Sequence, residues 1–430
     1  MRMPKIVADI FSVIIVCFYF FTFNFRFFAW ANTKTVMAGV GLVILILNIA
    51  RGRKALISKD LVVLSGLAFL VSLTCLIAVF YNGTKDYVYA SYIISMWVWL
   101  SAAYVVVWCL EKIHGKVTAR MVSDYLILTS FLQCVIAVLM GRVPLVNAFS
   151  ELVQGPSGDV DRLYGIGCAY DVAGIKFSCV LIIIAQMLYD RAREGTESRS
   201  KEIWYISAFF TIAVIGNMIA RTTTVGVVLA ILYLVVLSVR GEKASNRRLW
   251  NTVGLVLIIA IPLLTYLYRT DESFREDFRF GFEGFVSLIE TGRWEVQSND
   301  ILVTMYRFPE TLETWLIGDG YIGSANEDPY YLGEYYQGYY KGTDVGYLRF
   351  IYYAGLPFML IFMAFIAQAA MHCTMKYREW AFMFVCMYIA QLAIWLKVST
   401  DVFLVFALYI ACANMNVGED ASGLMIEQRD

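Results

Sequence analysis

Charge is what this 430-residue chain has least of: 16% of its residues are Asp, Glu, Lys or Arg, against about 25% in ordinary soluble domains. Its 35 basic residues balance 35 acidic ones, so no basic field is present to hold nucleic acid. Histidine is rarer still. His114 and His372 are the whole supply, and both lie beside connections rich in Lys and Arg. The nine cysteines include no CxxC pair; Cys17, Cys75, Cys109, Cys134, Cys179, Cys386 and Cys412 fall inside apolar runs, Cys373 falls beside a basic connection, and Cys168 stands alone in a loop. That pattern carries neither a zinc nor a redox motif. No internal repeat relates the two halves, and the matched interrupted helices of an inverted-repeat transporter are missing.

What the chain does have is apolar length. Hydrophobic residues make up 60% and the mean hydropathy is +0.64. A bilayer core about 30 Å thick takes roughly 20 residues of helix. Runs of that kind lie at 6–23, 34–50, 60–80, 88–110, 121–140, 174–189, 203–220, 223–239, 250–268, 346–370, 380–396 and 401–416. The expected fold is an all-α polytopic membrane protein with about 12 transmembrane helices and a large late extracytoplasmic loop. It divides into residues 1–268 (nine helices and an outer loop at 141–173), a large loop at 269–345 with amphipathic helices, and residues 346–430 with three more helices and a tail. No small-residue cleavage site follows the first run, which reads as an uncleaved anchor.

Basic residues set the orientation. Arg51, Arg53, Lys54 and Lys59, then Lys112, Lys116 and Arg120, Arg191, Arg193, Arg199 and Lys201, Arg240, Lys243, Arg247 and Arg248, and Lys376 and Arg378 mark alternate connections. The Lys/Arg-rich side is cytoplasmic, so both termini are expected there, with 141–173 and 269–345 facing outward. Both histidines then lie inside, which leaves the outer face without a histidine for a metal site or a Ser–His pair.

The outer segments hold the chemistry. In the shorter loop, Gly155, Gly158, Gly165 and Gly167 surround Arg162. Glycines let backbone N–H groups approach a ligand, and a guanidinium fork suits a phosphate; an exposed turn with a surface arginine is the alternative. Asp159 and Asp161 form a DxD that could hold a divalent cation. Arg221 sits in a hairpin so short that it must lie at the membrane boundary, where a charge is either functional or a snorkelling helix end. In the long loop, Glu290-Thr291-Gly292-Arg293-Trp294-Glu295 is expected to open an amphipathic helix through Ile301, Leu302, Met305 and Tyr306, with Thr291 as N-cap. Arg307, the turn Gly318-Asp319-Gly320, and Asp344-Val345-Gly346-Tyr347 follow. The tyrosines Tyr330, Tyr331, Tyr335, Tyr336, Tyr339 and Tyr340 read as an interfacial belt or as stacking surfaces for sugars.

In this order of features the chain resembles the O-antigen polymerase and ligase superfamily, Wzy-type polymerases above all. The matching positions are Arg162, Arg221, Gly292-Arg293, Gly318-Asp319-Gly320, Asp344-Val345-Gly346-Tyr347-Leu348 and Gly355, and Arg307 to Gly318 fits an Arg-x10-Gly spacing described for such polymerases. Asp344 stands where the ligase branch usually carries histidine, which favours the polymerase branch.

The resemblance implies a bacterial inner-membrane glycosyltransferase of the GT-C class. It would join repeat units carried on polyprenyl diphosphate, as donor and acceptor, for O-antigen, capsule or exopolysaccharide, with inversion and without metal or other cofactor. Arg221 and Arg293 would grip the diphosphate with Arg162 or Arg307 assisting; Asp344, or else Glu295, would orient or deprotonate the acceptor hydroxyl; Gly318, Gly320 and Tyr347 would line the substrate site. Membrane lipids, a chain-length regulator and a flippase are the implied partners. A ligase acting on another acceptor, and a flippase or exporter of lipid-linked sugars, are the alternatives.

Overall fold

The computed structural model describes residues 4–50, 59–155, 162–194, 199–240, 243–323 and 339–427. Its elements run α1 (Lys5–Phe20), a hairpin of β1 (Asn24–Phe25) and β2 (Phe28–Asn32), α2 (Thr33–Ala50), α3 (Lys59–Asn82), α4 (Tyr92–His114), α5 (Ala119–Arg142), α6 (Pro144–Gln154), α7 (Tyr170–Glu194), α8 (Arg199–Ile219) and α9 (Thr223–Arg240). They continue with α10 (Lys243–Thr270), α11 (Glu272–Gly281), α12 (Glu283–Thr291), α13 (Gln297–Thr304), α14 (Leu312–Leu316), α15 (Gly346–Lys376), α16 (Ala381–Ile394) and α17 (Phe403–Glu427). Each expected apolar run lies on one of these helices. Among the described residues seven helices are long and apolar enough to cross a membrane: α3, α4, α5, α7, α8, α10 and α15, while α2, α9 and α17 contain shorter apolar stretches. At 1.5 Å per residue, the 14 residues of α16 span only about 21 Å. Apart from the short β1–β2 hairpin, the described residues form a helical, membrane-embedded chain.

The chain forms two compact units, Met1–Met37 with Val106–Glu295, and Ala38–Val105 with Val296–Asp430. The expected loop 269–345 is shared between them: α11 and α12 belong to the first unit, α13, α14 and Asp344 to the second.

In the first unit α7 is the central helix, with 89% of its apolar window buried, packed by α5, α8 and α9. Close approach of α7 and α9 needs Gly226, whose N–H donates to Ser178 Oγ at 3.2 Å. The late segment folds over the helix ends. Asp271 caps α11 by accepting from Phe274 N at 2.9 Å, and Gly281 seats α11 against the backbone of Asn217 and Met218.

One expectation is corrected here. Thr291 does not cap a new helix; it is the last residue of α12, and Gly292 ends that helix in the left-handed conformation at φ 72°. Glycine takes that conformation without Cβ strain. Arg293 and Glu295 therefore lie in the turn before α13, and Trp294 folds back edge-on to Phe285 at 4.9 Å and covers Gly284.

In the second unit α15 breaks at Ala354–Gly355. Pro357 has no N–H to give Tyr353 O four residues back, so that carbonyl must find another donor. Asp319 N and Gly320 N supply the need, donating to Tyr352 O at 2.6 Å and Tyr353 O at 2.9 Å. The turn is held from the end of α3 and the residues just after it as well: Asn82 Nδ2 donates to Gly318 O at 2.9 Å and Thr84 Oγ1 to Gly320 O.

A Cβ on Gly318 (φ +82°) would lie 2.5 Å from Ala354 N, and one on Gly355 (φ +78°) 2.5 Å from Leu316 O. Positive φ alone disfavours alanine by about 1–2 kcal/mol. Gly318→Ala and Gly355→Ala are expected to lower the thermal unfolding midpoint in detergent, whereas Gly254→Ala, where a Cβ meets nothing within 4 Å, should leave it unchanged or raise it.

Candidate functional site

The first unit brings the ends of α5, α7, α8, α9 and α10 together beneath α11 and α12. The α8–α9 hairpin is fixed by side-chain bonds. Thr222 Oγ1 donates to Asp171 Oδ1 at 3.0 Å, Ser178 Oγ to Thr222 O at 3.1 Å, and Thr224 Oγ1 to Asn217 Oδ1 at 2.7 Å. Arg221 thus stands on a rigid turn. Its guanidinium lies over the Phe280 ring at 4.2 Å, its Nε donates to Phe280 O at 2.8 Å, and its Nη1 pairs with Glu283 Oε2 at 2.7 Å. The same ring also neighbours Arg162, 5.0 Å from its centroid and 5.2 Å from that of Tyr170. Both guanidinium carbons are therefore within about 9 Å of each other. Arg162 makes no hydrogen bond or ion pair among the described residues.

Burial is the main force pulling the Arg221 pKa below its usual value; Glu283 opposes this, and the nearby positive charge of Arg162 adds to it. Two cations lie against one aromatic ring, and the one carboxylate beside them, Glu283, is paired with Arg221.

The loop glycines around Arg162 answer a packing need. A Cβ on Gly165 would press on Gln133 Oε1, and one on Gly167 (φ +63°) on the Phe21 carbonyl. Asp159 and Asp161 lie outside the described residues, as do Tyr330, Tyr331, Tyr335 and Tyr336.

Arg293 is placed elsewhere. Arg221 grips Glu283 at the start of α12, and Arg293 follows the end of that nine-residue helix, about 13 Å of rise away. Its side chain is exposed and touches neither Arg221 nor Arg162. Glu295 is exposed too, its backbone N–H and carbonyl both bonded to Ser287 Oγ, at 3.0 and 2.9 Å.

The remaining sequence-derived residues belong to the second unit. Asp344 pairs with Arg349 Nη1 at 2.9 Å; Arg349 also donates to Ile322 O at 3.1 Å and lies over Tyr339 at 5.7 Å. Tyr347 donates to Leu392 O at 2.8 Å and stands edge-on to Trp395, a packing role. Asp319 accepts from Thr314 Oγ1 and Tyr340 Oη, both at 2.8 Å, and Arg307 O accepts from Tyr352 Oη at 3.2 Å.

Sequence reasoning missed Phe280 and Glu283, which hold Arg221, Arg349, which holds Asp344, and the pair of Arg142 Nε with Asp271 Oδ2 at 3.0 Å. Only Asp271 left a local signal, as a capping residue ahead of a helix.

No family model matches this chain, and no curated protein or solved structure does either.

The Asp271 carboxyl is held below the usual range, first by the Phe274 N–H and then by Arg142. Its contribution to stability is therefore present at neutral pH and fades as pH falls below about 4, the unfolded value. Asp271→Ala should lower stability by roughly 1–2 kcal/mol. Asp271→Asn keeps the cap and should remove this part of the acid sensitivity, read from unfolding midpoints between pH 3 and 7.

Proposed function

We propose that the chain is a membrane glycosyltransferase, a polymerase joining oligosaccharide repeat units carried on polyprenyl diphosphate. In this reading the apolar runs make about 12 crossings of a bacterial inner membrane, both termini are cytoplasmic, and the end of the first unit that carries Arg162 and Arg221 faces the periplasm. The observation that carries the reading is the shared Phe280 ring. Two guanidinium groups from separate connections are held close together against their mutual repulsion, and Arg162 has no protein acceptor among the described residues. A multiply charged phosphate relieves that repulsion and suits the planar fork. The exposed aromatics along the late segment, Trp294, Phe285 and Phe308, provide apolar faces for sugars or for the bilayer interface.

The chemistry follows from the charge. As the sugar bond to the diphosphate breaks, negative charge grows on the leaving phosphate, and arginines fixed in advance stabilise it without reorganising. The acceptor hydroxyl oxygen bonds to the anomeric carbon from the opposite face as the diphosphate leaves, inverting that centre, and its proton passes to a carboxylate. Arg293 remains part of the proposal as an exposed cation on the same segment, and Glu295 as a carboxylate to be tested.

Purified protein given one lipid-linked repeat unit is expected to produce a ladder of lengths. A single transfer to another acceptor makes it a ligase, and no transfer overturns the enzyme reading in favour of a transporter. Arg221→Ala and Arg162→Ala should each lower polymer formation by about 10²–10³-fold while the protein stays in the membrane. Wild-type chain lengths from Arg293→Ala remove Arg293 from the scheme, and EDTA is expected to leave the ladder intact.

A further inference from the structure

The first unit also holds two polar groups that make no hydrogen bond among the described residues, Arg142 Nη2 and the Asp277 carboxylate. Arg142 closes α5 with its Nε bonded to Asp271 Oδ2 at 3.0 Å and its guanidinium over Phe274 at 5.9 Å. Its Nη2 is buried and has no hydrogen-bond partner among the described residues. Asp277 lies on the packed face of α11, between the buried Phe274 and Gly281. It is half-buried and makes no hydrogen bond or ion pair among the described residues. The charges it feels are Arg142 from α5, attractive, and Asp271 and Glu276, repulsive.

A buried donor and a half-buried carboxylate left unmatched are each unfavourable. One ligand group satisfies both at once: a hydroxyl, which donates to the carboxylate and accepts from the guanidinium. A phosphate there would be repelled by Asp277, and an ammonium by Arg142. We infer that Asp277 and Arg142 bind the hydroxyl of a sugar acceptor and that Asp277 takes its proton.

The placement relative to the arginine pair fits. Phe280, which carries Arg162 and Arg221, is three residues beyond Asp277 on the same helix, a spacing that makes side chains neighbours. The acceptor oxygen forms its bond to the anomeric carbon, the bond from that carbon to the diphosphate oxygen breaks with its electron pair, and the proton moves to the Asp277 carboxylate. Burial, reinforced by Asp271 and Glu276 against the pull of Arg142, raises the Asp277 carboxyl to about 6, which suits a base working near neutral pH. Asp271 acts through Arg142 and is a positioning residue.

This inference rests on the polymerase reading, and the experiment separates the two. Full-length protein in lipid nanodiscs is given the polyprenyl-diphosphate-linked repeat unit extracted from membranes, and initial rates are followed from pH 5 to 8. Wild type without any transfer overturns the polymerase reading, and this inference with it. With wild type active, Asp277→Asn should lower kcat by about 10²–10⁴-fold, and Asp277→Glu should recover part of it. The wild-type rate should fall as pH drops through about 6, where the carboxylate becomes protonated, and the residual rate of Asp277→Asn should lack that limb. An active Asp277→Asn protein, or a wild-type rate flat across that range, overturns this inference alone. The amide is isosteric; an unchanged melting midpoint separates a lost proton acceptor from a lost fold.

Discussion

Away from water every backbone N–H and C=O must find a partner within the protein, and this requirement explains where the chain departs from plain helix. α15 carries Pro357 and breaks two residues earlier, leaving the carbonyls of Tyr352 and Tyr353 open, and the turn Asp319–Gly320 closes them with its own N–H groups. That solution demands backbones close enough to exclude a Cβ at Gly318 and Gly355. The α8–α9 hairpin obeys the same rule: Thr222, Thr223 and Thr224 each bond to neighbouring backbone or side chains, and Gly226 N donates to Ser178. Turns satisfied this fully are rigid, and a charged residue carried on one is aimed before any ligand arrives.

The same physics sets how far the sequence could be read. Apolar length announces a helix because a lipid-facing and a protein-facing residue can be equally greasy. For that reason it is silent on which helix lies inside. α7 and α10 have the same window hydropathy, 1.9, yet 89% of one window is buried and 6% of the other. In water the outward face of α10, with Ile258 71% exposed, would have been polar and the pattern would have shown its orientation; in lipid that clue is erased.

The site was legible in part for a related reason. Arg162 and Arg221 stand out because charge is scarce around them. Phe280 and Glu283 do not, since an aromatic or acidic residue in a mixed loop is ordinary until the fold brings it back to Arg221. The reading of Thr291 as a helix start went astray on a local rival, Gly292, whose left-handed conformation makes the same residues a helix end. Gly318 and Gly320 were legible as a turn, but what requires glycine there is the approach of Ala354 and Ala78, a contact that no spacing rule displays.

What then distinguishes the arginines is how much of each is already committed. Arg279 faces Glu290 through two bonds at 2.5 and 2.8 Å on an exposed surface, where such a pair adds little to stability, and it has little left to offer a ligand. Arg349 is bound by Asp344 and Ile322. Among the described residues Arg142 is satisfied along one edge only, and Arg162 meets nothing but aromatic rings. With Glu283 and Asp271 counting against Arg221 and Arg142, the end of the first unit holds no large surplus of positive charge. Attraction for an anion there must come from the fixed direction of particular N–H groups in a partly desolvated setting, which also strengthens each interaction relative to water. In the proposed reading such a site would discriminate by geometry: phosphate where guanidinium N–H groups are uncommitted, hydroxyl where an uncommitted guanidinium N–H and a carboxylate are both at hand.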